Sequence, residues 1–215
     1  MKKTTIVLSI ILVAFFAIGI FSYLTLDKEK IASHWDESGQ VNGQMGKFAG
    51  IFLMPLISIG LFILFIMIPK IDPLKSNINK FQNHYSSFVV VLMIFMLYIY
   101  ITTILFNFGY KLNITKLIMP AIALLFFYIG SIMKHLKKNW FIGIRTPWTL
   151  SNDKVWKKTH ELSSKIFKLL GIIILVGVFL PAEFLIWIIL IPTLSISIGL
   201  TIYSWWLYKK ETKLS

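Results

Sequence analysis

The stretch IVLSIILVAFFAIGIFSYLTL, Ile6–Leu26, holds 21 residues and no charged side chain. An α-helix needs about 20 apolar residues to cross the hydrocarbon core of a bilayer. Lys2 and Lys3 precede the stretch, as in a secretory signal peptide, but it is long for the apolar region of a signal and no small-residue cleavage site follows. We therefore expect a retained first transmembrane helix, with cleavage as the less favoured alternative.

The chain as a whole is also rich in apolar residues and poor in charged ones. Of its 215 residues, 57% are apolar and 14% are charged, against about 45–50% and 25% in soluble domains. This composition favours a membrane protein over a soluble one. Because the chain has no cysteine, disulfides and thiolate metal sites are excluded.

Further apolar stretches extend the pattern along the chain. A long region from residue 166 to 208 is interrupted at Pro181 and Glu183, which indicates a turn between two spans. Lipid-exposed backbone must satisfy its own hydrogen bonds, so each span is predicted to be helical. The predicted fold is an all-α integral membrane protein with six transmembrane helices, at Ile6–Leu26, Phe48–Ile68, Ser86–Phe108, Leu117–Met133, Lys165–Leu180 and Glu183–Tyr208.

The distribution of basic residues predicts the orientation. With six spans, 17 of the 22 Lys and Arg residues fall on the side that holds both termini. Lys and Arg are enriched in cytoplasmic loops, so both termini are predicted to be cytoplasmic. The same asymmetry accounts for most of the net charge of +13. It indicates attraction to anionic membrane lipid rather than direct nucleic acid binding.

The outer loop, residues 27–46, is one of two long loops. Its residues His34, Trp35 and Asp36, together with Lys47, form a candidate extracellular binding face, and Glu183 is predicted to lie on the same side with Lys28, Lys47 or Lys111 as a possible ion-pair partner. Tryptophan is also common at membrane interfaces. The loop therefore has two interpretations, an extracellular binding face or an interfacial anchor.

The inner loop, residues 134–165, contains Arg145, the only arginine in the chain. Gly143 and the pair Thr146-Pro147 indicate a turn. Ser151, Asn152 and Asp153 then resemble a helix start. Lysines and apolar residues alternate at helical spacing beyond it, which predicts an amphipathic surface helix before the fifth span. That helix is either a lipid anchor or a docking surface for a protein partner.

The sequence contains no complete motif for catalysis or metal binding. His160 and Glu161 begin a zinc motif, but Ser164 occupies the position of the second histidine. The predicted spans carry no ionisable residue near their centres, which disfavours a transporter. We predict no catalytic residues, no metal site and no cofactor, and retain a small membrane transporter or exporter as an alternative.

The inner loop resembles the signature of the SdpI family of bacterial immunity proteins. The matching residues are Asn139, Gly143, Ile144, Arg145, Thr146, Pro147, Trp148, Thr149, Leu150, Trp156 and His160. The outer loop is similar to the DUF1648 domain, on His34, Trp35, Gly39, Lys47 and Pro55. We therefore expect a DUF1648-like region over residues 1–85 and an SdpI-like region over residues 86–215.

The resemblance implies a function and partners. It implies a multipass protein in the cell membrane of a Gram-positive bacterium that gives immunity to a secreted toxin peptide. It also implies a receptor role, in which an ArsR-type repressor protein is held at the membrane. A membrane sensor without immunity function is the alternative from the same resemblance.

Overall fold

The computed structural model describes residues 2–212. Eight α-helices and a β-hairpin account for most of them, and a 3-10 helix at Ala182–Phe184 joins the last two helices. The elements in chain order are α1 (Lys2–Thr25), β1 (Lys30–Trp35), β2 (Val41–Gly46), α2 (Lys47–Ile71), α3 (Lys75–Lys80), α4 (Gln82–Asn107), α5 (Ile114–Met133), α6 (Pro147–Ser151), α7 (Asp153–Gly177) and α8 (Leu185–Thr212).

Five helices are long and apolar enough to cross a membrane, namely α1, α2, α4, α5 and α8. They correspond to five of the six predicted spans, and the mostly helical membrane architecture agrees with the predicted class. Helix α7 differs because its first half is polar. The predicted surface helix and the predicted fifth span form one continuous helix, Asp153–Gly177. Six spans and cytoplasmic termini stay predictions.

The outer loop folds as an antiparallel β-hairpin, which the all-α prediction did not include. The turn is closed by backbone hydrogen bonds between Asp36 and Gln40, at 2.9 Å, and between Gly39 and Asp36, at 3.0 Å. Gly39 has a φ of +85°, a conformation that favours glycine. The strands are short and irregular around His34, so their alternation pattern was too weak to predict them.

The helices surround two apolar cores. The first lies between α1, α2 and α4 and includes the buried side chains of Phe15, Ile51 and Met93. The second lies between α5, α7 and α8 and includes Leu170 and Ile174. Helices α4 and α5 pack against each other and thereby join the two groups.

Helices α5 and α7 approach each other closely at two glycines. A Cβ atom on Gly171 would lie 2.7 Å from the carbonyl oxygen of Ala123, and one on Gly130 would lie 2.7 Å from the backbone nitrogen of Lys168. Small residues permit such direct backbone contact between membrane helices. This contact fixes the position of α7, the helix that carries Trp156 and His160.

Candidate functional site

The inner loop is organised by the buried side chain of Asn139, which is 0% exposed. Its Nδ2 donates hydrogen bonds to the carbonyl oxygens of Lys137 and Ile142, both at 2.9 Å. Its Oδ1 accepts from the backbone N–H groups of Phe141 and Ile142, at 2.9 and 2.7 Å. All of these partners lie within three residues, so Asn139 fixes a tight turn rather than presenting an amide to a ligand.

His160 connects helix α7 to this turn. Its Nε2 accepts a hydrogen bond from the backbone N–H of Ile144, at 3.0 Å, so Nδ1 carries the proton and donates to the carbonyl of Trp156, at 2.8 Å. Burial lowers the pKa of His160 to about 4, against a smaller opposing effect of the Trp156 carbonyl. The imidazole is therefore neutral at physiological pH.

Gly143 and Trp156 complete the contact with His160. Gly143 has a φ of +112°, and a Cβ atom there would collide with His160 Nε2. The Trp156 ring stacks on the imidazole with centroids 4.1 Å apart, and its Nε1 donates to the carbonyl of Leu136, at 2.9 Å. Trp156 and His160 thus face the protein interior, so this face of the helix is neither a lipid anchor nor a docking surface.

Thr146 begins helix α6 with a capping box. Its hydroxyl accepts from the backbone N–H of Thr149, at 3.2 Å, and the Thr149 hydroxyl accepts from the backbone N–H of Thr146, at 2.9 Å. The Thr146 hydroxyl also shares a hydrogen bond with Ser204 on α8, at 2.9 Å. Pro147 occupies the first helical position, where its missing N–H has no cost. The turn is therefore fastened to the last helix.

Asp72 was not singled out in the sequence, yet it anchors the inner loop from a distance of 68 residues along the chain. It is 2% exposed. Its Oδ2 accepts from the backbone N–H of Trp140, at 2.9 Å, and its Oδ1 accepts from that of Leu74, at 2.6 Å. Asn77 adds a hydrogen bond to the carbonyl of Lys138, at 3.0 Å. A single aspartate after a proline-containing helix gives no sequence signal for this role.

The outward surface of the inner loop is basic and aromatic. Arg145 is exposed, and its Nη1 donates to the carbonyl of Trp140, while Trp148 is half-buried. Lys158 and Lys154 approach Glu211 at 2.7 and 3.7 Å. Lys154 and Lys158 share one acidic partner, whereas the Arg145 guanidinium donates to a neutral carbonyl. The charge of Arg145 is therefore held differently from the charges of these two lysines.

Two histidines stack beside this surface. The rings of His84 and His135 lie 4.2 Å apart and nearly parallel. Partial burial, followed by the charges of His84 and of Lys134, Lys137 and Lys168, lowers the pKa of His135. Among residues 2–212 no three side chains of metal-ligand type come together, and the contact joins α4 to the end of α5.

At the opposite end of the helices, Asn107 clamps the hairpin. This residue ends α4 and is 2% exposed. Its Oδ1 accepts from the backbone N–H of Ala32, at 2.8 Å, and its Nδ2 donates to the carbonyl of the same residue, at 3.0 Å. Thr115 and Asn113 hold the hairpin turn through the carbonyls of Asp36 and Ser38, at 2.9 and 3.1 Å. The sequence did not reveal these three residues, because each lies at least 75 positions from its partner.

The predicted outer face is brought together only in part. His34, Trp35 and Asp36 are neighbours on the hairpin, where His34 contacts Asn42 at 2.5 Å and Trp35 packs edge-on against Phe106. The Asp36 carboxylate accepts from the Ser38 hydroxyl and the Gln40 N–H, which lower its pKa in that order.

Lys47 and Glu183 do not join that group. The Lys47 ammonium lies over the Tyr23 ring, 4.9 Å from its centroid, on the α1 side of the hairpin. Glu183 is in the 3-10 helix, and in the described part of the chain no ion pair links it to Lys28, Lys47 or Lys111. Glu183 is exposed, and Lys28 and Lys47 are engaged by the Asn107 carbonyl and by Tyr23.

A cavity of about 480 Å³ lies directly below the hairpin. We call it the hairpin cavity. Side chains from α2, α4, α5 and α8 form its walls, and the hairpin residues 33–37 form its polar roof. Both helix groups therefore contribute to its lining.

Comparisons with known proteins give a match over each of the two loops. Residues 135–204 match the sequence profile of the SdpI/YfhL protein family. Residues 10–59 match the domain of unknown function DUF1648. Both matches confirm the resemblance inferred from the sequence, and no solved structure matches the chain.

A curated relative extends the match to the full length. The chain is 28% identical over 211 residues to the immunity protein SdpI of Bacillus subtilis (strain 168), covering 98% of each chain. This relative is named as an immunity protein and not as an enzyme. The SdpI/YfhL region ends at Ser204, the residue that holds Thr146, so it contains both partners of that bond. The domain boundary at residue 85 stays a prediction.

Proposed function

We propose that this protein is a multipass membrane immunity protein that protects the cell from an extracellular, membrane-active toxin peptide. The observation that carries the proposal is the match to the immunity protein SdpI over 98% of both chains. The architecture supports it, since several helices are apolar enough to place the protein in the cell membrane. A Gram-positive cell membrane is the proposed location.

The outer end is the proposed toxin-facing surface. His34, Trp35 and Asp36 are held on a hairpin that Asn107 and Thr115 fix to the helices. A rigid loop of this kind suits recognition because little ordering entropy is lost on binding. Lys47 and Glu183 flank this surface as separate candidates.

The inner end is the proposed surface for signalling. The turn is built by Gly143 and by the buried residues Asn139, Thr146, Trp156 and His160, while Arg145 is exposed and Trp148 is half-buried. An exposed arginine beside an aromatic side chain is a common element of protein interfaces. We propose this surface as the docking site for a repressor of the ArsR type, which makes a membrane sensor the second candidate function.

A resistance assay tests immunity. The full chain is expressed in a bacterium that is sensitive to the secreted killing peptide against which the family protects, and survival is measured against peptide concentration. We expect a higher survival concentration than in cells with an empty vector. Equal sensitivity at verified membrane expression would overturn immunity toward that peptide.

Recruitment of the repressor is tested separately. A fluorescent ArsR-type repressor from the same genome is imaged with and without the peptide in cells that contain the protein. Peptide-dependent membrane localisation that is lost in Arg145→Ala is expected. A repressor that stays diffuse in both conditions would argue against the sensor function. It would not affect the proposed immunity function.

A further inference from the structure

We infer that the hairpin cavity is a binding site for an apolar peptide segment that carries a positively charged group. The inference rests on the proposed immunity function, because it identifies the part of a toxin that the outer end would hold. Two observations carry it: the size and apolar lining of the cavity, and the sign of the charges at its roof.

The cavity has the size and composition of a ligand site. Its volume of about 480 Å³ lies within the range of about 300–1,000 Å³ that is typical of small-ligand pockets. Its walls are apolar and are formed by residues such as Leu53, Ile99, Ile118, Met119 and Ile186. These walls belong to helices of both apolar cores, so the cavity lies between the two groups of helices.

The charges of the roof are negative. Asp36 and Glu37 line the cavity, and none of the lining residues is Lys or Arg. No ion pair in residues 2–212 neutralises either carboxylate, and Lys47 is turned toward Tyr23. An amine on a ligand would be attracted to this roof, whereas the phosphate of a lipid would be repelled.

Two other grooves in the described part of the chain differ in this respect. A groove of about 740 Å³ between α4 and α5 is lined by Lys116 and by no carboxylate, and a groove of about 800 Å³ between α1 and α4 has no charged lining residue. Those two grooves suit phospholipid chains. The hairpin cavity combines an apolar interior with acidic residues, and this combination favours a cationic apolar peptide.

A pair of matched substitutions on α8 tests the site. Ile186 lines the cavity and Ile191 does not, although their exposed fractions are 54% and 57%. Ile186→Trp places a larger side chain in the cavity at a position that is exposed enough to accept it. Ile191→Trp adds the same bulk to the outer surface of the helix. Binding of a fluorescein-labelled killing peptide is measured by anisotropy, with the full chain in nanodiscs of phosphatidylglycerol and phosphatidylethanolamine.

We expect Ile186→Trp to weaken peptide binding at least about tenfold, since a filled pocket excludes its ligand, and Ile191→Trp to leave it within about twofold. Glu37→Gln removes a negative charge from the roof and should weaken binding several-fold, whereas Glu29→Gln, at an exposed position that does not line the cavity, should not. Equal binding by both members of each pair would overturn the site.

Resistance measured on the same variants separates the two proposals. A wild-type protein that fails to protect overturns the immunity function. Protection by wild type with equal protection by Ile186→Trp and Ile191→Trp overturns the cavity site alone. Native mass spectrometry gives a further check, because a phospholipid retained by wild type and lost in Ile186→Trp, with unchanged peptide binding, would identify the cavity as a lipid site instead.

Discussion

The backbone N–H of Ile144 donates a hydrogen bond to Nε2 of His160, 3.0 Å away. This bond joins the inner turn to helix α7 and requires a neutral imidazole, because a protonated ring has no acceptor. His160 is 1% exposed, so water cannot replace Ile144 without opening the turn. The integrity of this region therefore depends on the protonation state of one buried side chain.

Acidification should destabilise the protein through His160. Its folded-state pKa of about 4 lies below the value of about 6.5 expected when unfolded, so the unfolded chain binds the proton more readily. Stability is then lost as the pH falls from about 6.5 toward 4, by roughly 2 kcal/mol at about pH 5. Thermal unfolding of the detergent-solubilised protein at several pH values measures this loss.

The variant His160→Asn provides the control for that experiment. It should be less stable at neutral pH, because the stacked ring is lost, and its midpoint should depend less on pH. His135, whose pKa is also lowered, contributes a smaller slope of the same sign. A pH dependence identical in wild type and His160→Asn would refute the assignment to His160.

Gly143→Ala should destabilise the inner turn by about 1–3 kcal/mol, the usual cost of a non-glycine residue in such a conformation. Its φ of +112° is unfavourable for alanine, and the new methyl group would collide with His160 Nε2. Gly199→Ala is a matched control, since nothing lies within 4 Å of a Cβ atom there. Melting temperatures that fall equally in both variants would contradict this account.

Arg145→Ala should reduce resistance more than the loss of any single lysine on α7. The guanidinium of Arg145 holds the Trp140 carbonyl, whereas Lys154 and Lys158 share one acidic partner and can replace each other. We expect the peptide concentration that the cells survive to fall about tenfold, because a hydrogen bond from a charged group is lost. Arg145→Lys should recover only part of it, because lysine lacks the planar fork. Equal resistance in Arg145→Ala and Lys157→Ala would refute a specific role.

Asn107→Ala should release the hairpin and destabilise the protein by about 2 kcal/mol, because two hydrogen bonds to Ala32 are lost and their buried partners are left unsatisfied. Hydrogen exchange of the amides in residues 30–46 is the direct measurement, with the largest increase at Ala32. Asn79→Ala, at an exposed position on α3, should leave these amides protected. Unchanged exchange in Asn107→Ala would show that other contacts hold the hairpin.

The helical part of the fold was predictable, because a charge-free stretch of about 20 apolar residues fits few structures other than a membrane-spanning helix. The helix start at Asn152 was also predictable, and its side chain accepts hydrogen bonds from the N–H groups of Lys154 and Val155. The signature residues proved to be neighbours in space, as Asn139, Gly143, Thr146 and His160 all contribute to one turn.

Contacts between distant segments were not predictable. Asp72 and Asn107 each hold a loop that is at least 68 residues away, and neither periodicity nor composition encodes such a pairing. The two strands of the hairpin were hidden by their short length and their irregular register. Lys47 was grouped with Trp35 by its place in the sequence, although the structure turns it toward Tyr23.

The continuity of α7 restricts how related sequences can differ in length. His160 contacts the inner turn and Gly171 contacts α5, and their separation of 11 residues is close to three full turns of about 3.6 residues each. A single inserted residue would rotate one contact by about 100° relative to the other. Substitutions at the exposed positions of this interval can accumulate, whereas insertions and deletions cannot, so an alignment of functional relatives should be free of gaps from His160 to Gly171.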